Sequence, residues 1–305
     1  EGFKVDKNKH LFYMRKLLRE FYSDELLASE LRFKGGTAAM LFEGLPRFST
    51  DLDFNLEHRS KQEEVFNRIR EIALRNGKIA DCADKRFGPI VVLDYGAGDR
   101  NLKIEVSNRM FDSHYVMRDF ASGIIPVMVQ ADMLSHKLCA LQARKAPRDI
   151  FDVWYFMSKG WPVNDNIIKE RSMMDIHTFL GECLNVVDGF SSKSIMSEIG
   201  ELLDGSMKDF VREKLLFDLK GFIEDFMDYP YVSELPLCDH TRLLFEKDSL
   251  LPCFKKNSID PSTVSNKELS DILSGKRVSL RDTKGINRTF RQSGDRFVVS
   301  TGLGI

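Results

Sequence analysis

Residues 34–54 constrain the fold most, because they join a double-glycine turn to a pair of aspartates on an alternating segment. The short, partly apolar run at residues 31–34 predicts a strand or helix end, and good helix formers follow Gly35 and Gly36. Glycines in such a turn let a phosphate approach backbone N–H groups at a helix N-terminus. Thr37 adds a hydroxyl at the same place. The alternative is an ordinary turn before a helix.

The acid pair follows in an alternating run at residues 48–56, which predicts a β-strand. Asp51 and Asp53 project from the same face of that strand. Two carboxylates so close repel each other unless a cation lies between them, and their oxygens suit Mg²⁺ shared with substrate phosphates. A solvated edge strand is the alternative, and the glycine turn upstream favours the metal site.

A third acid lies in a second alternating run, residues 101–107. Lys103, Glu105 and Ser107 form its polar face. Because two-metal phosphoryl-transfer sites use several carboxylates, Glu105 could join Asp51 if the two strands pair. A solvent-facing strand residue is the alternative for Glu105.

A helical pattern begins at Asp132, a predicted N-cap, and places Lys137 at the edge of an apolar stripe. There Lys137 can snorkel to solvent, or it can reach a triphosphate as a point charge. A proline ends this helix and a very apolar helix follows. Asp149 can cap the second helix, and Asp152 can form a buried ion pair with Lys137 or with Arg148.

Several separated segments together resemble the AbiEii/AbiGii-type nucleotidyltransferase toxins, which include the MenT-like enzymes and belong to the DNA polymerase β-like nucleotidyltransferase superfamily. The resemblance covers residues 10 to 160. The segments that carry it are 34–38 (KGGTA), 47–54 (RFSTDLDF), 102–107 (LKIEVS), 136–144 (HKLCALQAR) and 147–154 (PRDIFDVW). It implies an α/β (α+β) fold with a mixed-sheet DNA polymerase β-like core, followed by a largely helical C-terminal region.

The resemblance also implies roles for individual residues. The positions assigned to the phosphates of a nucleoside triphosphate are Lys34, Gly35, Gly36, Thr37, Arg47, Ser49 and Lys137. Those assigned to a catalytic Mg²⁺ or Mn²⁺ are Asp51, Asp53 and Glu105, although many members have Asp in place of Glu105. Lys137 and a late aspartate complete the catalytic set. Asp152 is preferred over Asp149 for that aspartate, because capping explains Asp149 more readily.

The implied reaction is attack of an acceptor on the α-phosphorus of a nucleoside triphosphate, with pyrophosphate leaving. An RNA acceptor, such as a tRNA-like end, is favoured, and a protein acceptor is the other possibility. The implied biology is the toxin of a type IV-like toxin–antitoxin or abortive-infection system with a cognate antitoxin. An inactive nucleotide-binding module and a metal-dependent phosphohydrolase or nuclease remain alternatives. The full set of site residues argues against the first, and the glycine turn argues against the second.

Composition bounds the domain organisation and the compartment. The 305 residues, of which 43% are hydrophobic and 30% charged, suffice for one large or two modest domains. We expect a nucleotidyltransferase core at residues 1–160 and a mainly helical domain at 161–305. No apolar run is long enough to span a membrane and the start of the sequence is charged, so we expect a cytoplasmic protein. The 5 cysteines lack paired spacing, which favours reduced thiols over disulfides or zinc.

A basic segment lies near the end of the chain, within a predicted basic tail at about residues 258–305. Its cationic residues are Lys276, Arg277, Arg281, Lys284, Arg288 and Arg291. Punctuating glycines and alternation predict a hairpin or extended tail rather than a helix. The segment can track an RNA backbone. A solvated tail and a surface for an acidic protein are the alternatives.

Overall fold

The computed structural model of the chain describes residues 6–96, 100–121, 123–233, 276–293 and 296–301, with isolated positions between 254 and 272. Two compact units divide the chain, Glu1–Leu235 and Pro236–Ile305. The first unit runs past residue 160, because the helices that follow pack on those that precede it. A separate domain from residue 161 stays a prediction.

A seven-stranded mixed sheet with the order β3-β4-β5-β2-β1-β7-β6 lies at the centre of the first unit. Its strands are β1 (Leu31–Lys34), β2 (Asp51–Leu56), β3 (Lys78–Lys85), β4 (Gly88–Asp94), β5 (Leu102–Ser107), β6 (Tyr115–Phe120) and β7 (Gly123–Met128). Strand β2 runs parallel to β5, and β1 runs parallel to β7, whereas the other neighbours are antiparallel. The predicted mixed-sheet α/β core is therefore confirmed.

Helices cover the sheet and form a bundle after it. They are α1 (Lys7–Tyr22), α2 (Glu25–Glu30), α3 (Gly35–Phe42), α4 (Gln62–Asn76), α5 (Gln130–Arg144), α6 (Pro147–Ser158), α7 (Asp165–Ser172), α8 (Ile176–Asp188), α9 (Ser192–Ile199), α10 (Gly205–Glu213) and α11 (Leu215–Asp228). Helix α6 packs against α5, α9 and α11. No helix in the described ranges is both long enough and apolar enough to cross a membrane.

The alternation of β2 decides which way its acids point. Leu52 and Phe54 are fully buried, and the Phe54 ring lies 5.3 Å from that of Phe33 on β1. Successive side chains of a strand point to opposite faces, so burial of the apolar face places Asp51 and Asp53 on the opposite face of β2. A one-residue slip of β2 would place both acids in the core.

Two predicted helix caps are wrong. Helix α5 begins at Gln130, so Asp132 lies in its first turn, where its buried carboxylate accepts hydrogen bonds from the His114 backbone and from Asn164 Nδ2. Helix α6 begins at Pro147, and Asp149 makes no cap. A proline at the first helical position has no N–H to satisfy and a suitable φ, so that end forms without a side-chain cap.

The second unit contains a three-stranded antiparallel sheet, β8 (Val278–Arg281), β9 (Asn287–Ser293) and β10 (Arg296–Thr301). The basic segment forms the β8–β9 hairpin, as its alternation predicts. Asp282 in the turn accepts hydrogen bonds from the Lys284 and Ile286 backbones and from Arg288 Nε at 2.9 Å. The Phe254 and Phe290 rings pack edge to face at 5.4 Å in its small apolar core.

The thiols of Cys82, Cys139 and Cys183 are free, as the sequence predicts. Cys238 and Cys253 lie outside the described residues, and so does most of the predicted tail before residue 276.

Candidate functional site

A cleft of about 270 Å³ opens where the end of β1, the strands β2 and β5, and the helix α5 meet. The predicted site residues that line it are Lys34, Gly35, Gly36, Arg47, Ser49, Asp51, Asp53, Glu105 and Lys137. The other three predicted residues, Thr37, Asp149 and Asp152, are fully buried behind it. The structure thus brings together residues that are spread over more than a hundred positions of sequence.

The glycine turn joins β1 to α3 and passes very close to the acid face of β2. Gly35 has φ +80°, and a Cβ there would lie 2.6 Å from Asp53 Oδ2. A Cβ on Gly36 would lie 2.7 Å from Arg47 Nη2 and 2.9 Å from Ser49 Oγ. Both glycines are therefore required by close approach, and Gly35 also by its left-handed backbone. The turn leaves the N-terminal N–H groups of α3 at the cleft.

Thr37 links two elements of the fold. Its hydroxyl donates to the backbone carbonyl of Asp51, which ties the first turn of α3 to the start of β2. The hydroxyl thus already has a backbone acceptor, and the phosphate contact that the resemblance implies for Thr37 stays a prediction.

The acids of β2 and β5 lie side by side. In the parallel pairing Asp51 is opposite Lys103, and Asp53 is opposite Glu105. Lys103 Nζ lies 2.7 Å from Glu105 Oε2 and 3.9 Å from Asp51 Oδ2. The predicted neighbourhood of Glu105 and the acid pair is confirmed. Sequence reasoning placed Lys103 on this face but did not foresee that it would neutralise Glu105.

These contacts shift the pKa values of the acids in opposite directions. Burial, and then the charge of Asp51, raise the pKa of Asp53, while Lys34 acts against them. Burial alone would raise the pKa of Glu105, but the hydrogen bond and charge of Lys103 lower it overall. Burial lowers the pKa of Lys34 to about 8, although Asp53 opposes that shift. Glu105 thus has a direct ion pair with Lys103, whereas Lys34 and Lys103 act on Asp53 as nearby charges.

A chain of ion pairs runs from the loop before β2 through α5 to α6. Arg47 donates two hydrogen bonds to Asp152, from Nε to Oδ1 at 2.5 Å and from Nη2 to Oδ2 at 2.7 Å. Lys137 Nζ lies 2.8 Å from Asp152 Oδ2 and 3.0 Å from Asp149 Oδ1. Arg144 donates two further hydrogen bonds to Asp149, at 2.6 and 2.7 Å. The predicted pair of Asp152 with Lys137 is present, and Arg47 takes the place expected for Arg148.

The ion pairs keep both buried aspartates charged. Burial would raise the pKa of Asp152, but the charges of Arg47 and Lys137 lower it overall. Burial opposes ionisation of Asp149 as well, yet Lys137 and Arg144 lower its pKa to about 2. Lys137 is therefore held in place by two carboxylates.

Cations that sequence reasoning did not assign to the site also line the cleft. They are Arg100, Lys103, Arg109, Arg144, Arg148 and Arg171. Two of them, Arg109 and Arg171, come from elements far apart in sequence, and no local pattern signals their convergence. With Lys34, Arg47 and Lys137 they make the cleft strongly cationic, as a triphosphate site requires.

Two carboxylates fit a divalent cation here. Asp51 and Asp53 share one face of β2, and burial together with the charge of Asp51 raises the pKa of Asp53. Among the described residues, no group of three or more His, Cys, Asp or Glu side chains is arranged to hold a metal ion. Mg²⁺ commonly takes one or two protein carboxylates and completes its shell with substrate phosphates and water.

Residues 16–177 match the family described as the nucleotidyl transferase AbiEii toxin of type IV toxin–antitoxin systems. This match covers more than half of the 305 residues. The chain belongs to the AbiEii nucleotidyl transferase toxin family. The matched region contains every residue of the cleft that the sequence assigned to phosphates or metal. Family membership makes the protein a nucleotidyltransferase, and the predicted resemblance is confirmed.

Several solved structures are similar over most of their length. JHP933 from Helicobacter pylori is 17% identical with a TM-score of 0.45, covering 74% of this chain and 94% of that one. The MenT4 nucleotidyltransferase toxin from Mycobacterium tuberculosis is 18% identical with a TM-score of 0.46, covering 73% and 87%. An antigenic nucleotidyltransferase-like protein from Paracoccidioides brasiliensis is 12% identical with a TM-score of 0.41, covering 67% and 97%. No curated protein sequence matches the chain.

Proposed function

We propose that the protein transfers a nucleoside monophosphate from a nucleoside triphosphate to the end of an RNA, with a tRNA-like end as the favoured acceptor. One observation carries the proposal. Asp51 and Asp53 face a cationic cleft directly beside the Gly35–Gly36 turn, with Asp53 Oδ2 within 2.6 Å of where a Gly35 side chain would begin. A carboxylate pair beside the backbone N–H groups of a helix N-terminus suits a metal-bound triphosphate.

In this proposal Asp51 and Asp53 would hold Mg²⁺ or Mn²⁺ together with the phosphates of the substrate. The metal would neutralise charge on the triphosphate and activate the attacking oxygen. Glu105 is left out of this ligand set because Lys103 already binds its carboxylate at 2.7 Å. The turn at Gly35 and Gly36 binds the phosphates through its backbone.

Lys137 is proposed to bind the leaving pyrophosphate. An ammonium group has three N–H donors, and two of those on Lys137 are used by Asp149 and Asp152. The third remains for a phosphate oxygen. Because the two buried aspartates fix the ammonium, its charge is already in place when the β-phosphate takes up negative charge, so little reorganisation is needed during the reaction.

The chemistry is a single displacement. The oxygen of the acceptor hydroxyl forms a bond to the α-phosphorus while the bond from that phosphorus to the oxygen bridging the β-phosphate breaks. The proton of the acceptor passes to a carboxylate on the acid face of β2, and pyrophosphate leaves with the bridging oxygen. The protein mainly positions the reactants and stabilises charge.

The toxin role follows from the family. We infer that the protein acts in the cytoplasm, as the toxin of a type IV-like toxin–antitoxin or abortive-infection system, and that a cognate antitoxin neutralises it. Modification of an RNA end would be the toxic event. A protein acceptor is the competing outcome of the test.

The test incubates the purified chain with Mg²⁺, each common α-³²P-labelled nucleoside triphosphate, total RNA and cell protein. We expect label on an RNA band with the wild-type protein and none with Asp51→Asn, whose side chain is only 21% exposed in the wild type. Asp119→Asn is the matched control, because Asp119 is an exposed acid of β6 outside the cleft. Label on protein would overturn the RNA acceptor. Labelled monophosphate released without attachment would instead indicate a phosphohydrolase.

A further inference from the structure

An exposed aromatic side chain lies at the tip of the hairpin that joins β3 to β4. Phe87 is 55% exposed, although phenylalanine usually lies inside a protein. The guanidinium carbons of Arg86 and Arg109 each lie 5.3 Å from the centre of its ring. An aromatic ring with two flanking guanidinium groups matches the surface on which unstacked nucleic-acid bases bind.

The hairpin tip is fixed by three successive backbone carbonyls. The carbonyl of Lys85 accepts from Gln62 Nε2 at 3.2 Å, and the carbonyl of Arg86 accepts from Asn108 Nδ2 at 2.9 Å. The carbonyl of Phe87 accepts from the Asn108 backbone N–H at 3.1 Å. These bonds fix the backbone of the turn that carries the exposed ring.

The return of the hairpin lies directly against β5. Gly88 has φ +118°, and a Cβ there would lie 1.8 Å from the carbonyl oxygen of Val106. Strand β5 carries Glu105 into the cleft, and the segment just after it contributes both Asn108 and Arg109. Arg109 lines the cleft and also contacts the Phe87 ring, so it joins the two surfaces.

Arg109 acts on the cleft acid Glu105 through its charge, which helps lower the pKa of that carboxyl. In the part of the chain that the structure describes, neither Arg86 nor Arg109 forms an ion pair with a carboxylate. Both side chains are exposed. Phosphate groups of a nucleic-acid strand could therefore bind them without displacing an existing ion pair.

We propose that Arg86, Phe87 and Arg109, here called the Phe87 platform, bind the single-stranded end of the acceptor RNA beside the cleft. This rests on the proposed function for the acceptor itself. A base stacks on the Phe87 ring in place of a guanidinium group that lies over it in the free protein, and the two guanidinium groups contact the neighbouring phosphates. A duplex cannot use the ring because its bases are already stacked on one another. The platform therefore selects an unpaired end and directs it toward the α-phosphate.

The test measures binding of a fluorescein-labelled single-stranded RNA of about ten nucleotides, a length within the range that such sites cover. We expect Phe87→Ala to weaken binding on the order of tenfold or more. Phe217→Ala is the control, because Phe217 is an 82% exposed phenylalanine on α11 outside the cleft, and it should bind as the wild type does. Phe87→Ala should bind nucleoside triphosphate normally.

In Phe87→Trp, tryptophan fluorescence reports directly whether a base stacks at this position. We expect it to retain RNA binding and to show an emission decrease on addition of the oligonucleotide, beyond that of the wild-type chain with its 2 tryptophans. Arg86→Gln should reduce the slope of log affinity against log salt by about 0.7, the share of one phosphate contact on a single strand.

The two proposals fail in different ways. Unchanged RNA binding by Phe87→Ala, or unchanged emission of Phe87→Trp, would overturn the platform even if RNA becomes labelled. Wild-type protein that does not bind the oligonucleotide would overturn it as well. Platform-dependent binding without transfer of label would support the platform and refute the proposed reaction.

Discussion

Arg47 binds both carboxylate oxygens of Asp152, with its Nε 2.5 Å from Oδ1 and its Nη2 2.7 Å from Oδ2. Both residues are buried and lie 105 positions apart in sequence. The pair links the loop before β2 to α6, and Asp152 in turn binds Lys137. We therefore expect Arg47 to position Lys137, and the phosphate contact that the resemblance implies for Arg47 stays a prediction.

We predict that Arg47→Lys lowers both stability and transfer rate. A lysine keeps the charge but cannot make two parallel hydrogen bonds, so we expect a loss of about 1–3 kcal/mol in the free energy of unfolding. Arg47→Met should cost more, about 3–5 kcal/mol, because it leaves a buried carboxylate with one partner fewer. Urea denaturation measures both. Arg75→Lys, at an exposed position of α4, is the control.

A double-mutant cycle with Asp152→Asn tests the pairing itself. If the two side chains act through each other, the effects of Arg47→Lys and Asp152→Asn will be strongly non-additive. Additive losses would mean that Arg47 stabilises the fold without positioning Asp152. The kinetic measurement is the maximal rate at saturating nucleotide. Misplacing Lys137 lowers this rate, whereas loss of a direct phosphate contact mainly weakens nucleotide binding and leaves the rate at saturation unchanged.

The glycine turn gives a second prediction. Gly35→Ala should lower the transfer rate on the order of 10²-fold. The added Cβ would lie 2.6 Å from Asp53 Oδ2, so the carboxylate would have to move away from its present position. The positive φ adds about 1–2 kcal/mol of strain. Gly221→Ala on α11 meets no atom within 4 Å and should stabilise the chain by up to about 1 kcal/mol. Equal activity of the two variants would refute the close approach of turn and acid.

A third prediction separates Glu105 from the acid pair. Because Lys103 holds Glu105 at 2.7 Å, we expect Glu105→Gln to lower the rate less than about tenfold, whereas Asp53→Asn should lose on the order of 10²-fold or more. Titration with Mn²⁺ followed by its electron paramagnetic resonance signal gives the matching binding data. Loss of Mn²⁺ binding in Glu105→Gln would restore the three-acid site that the sequence predicts.

Local patterns predicted what depends on one element. The alternation of residues 48–56 placed Asp51 and Asp53 on a common face, and alternation in the basic segment predicted the β8–β9 hairpin. Both follow from the two-residue period of a strand and need no tertiary information. The position of Glu105 opposite Asp53 also followed once the two strands were assumed to pair.

Contacts between residues far apart in sequence could not be predicted from such local patterns. No local signal relates Arg47 to Asp152, so Arg148, four positions before Asp152, took its place in the prediction. Asp132 was misassigned as a cap because its carboxylate is used by His114 and Asn164, which lie on other segments. Arg109 and Phe87 meet only after β4 and β5 pair, so the Phe87 platform has no sequence signature.

The pKa of Asp149 gives the last prediction. Its folded-state pKa, about 2, lies below the ordinary value of 3.8. Burial raises this pKa, but the charges and hydrogen bonds of Lys137 and Arg144 lower it by more. The carboxylate therefore stabilises the fold above about pH 4, by about 2 kcal/mol, and this contribution is lost as the pH falls from about 4 toward 2. In Asp149→Asn that contribution is absent.

The measurement is the difference in unfolding free energy between wild type and Asp149→Asn, determined with urea from pH 6 to pH 3. This difference should become smaller as the pH approaches 3. Asp119→Asn, at an exposed acid of β6, is the control for the substitution itself. A difference for Asp149→Asn that did not change with pH would show that the ion pairs with Lys137 and Arg144 do not hold this carboxylate charged.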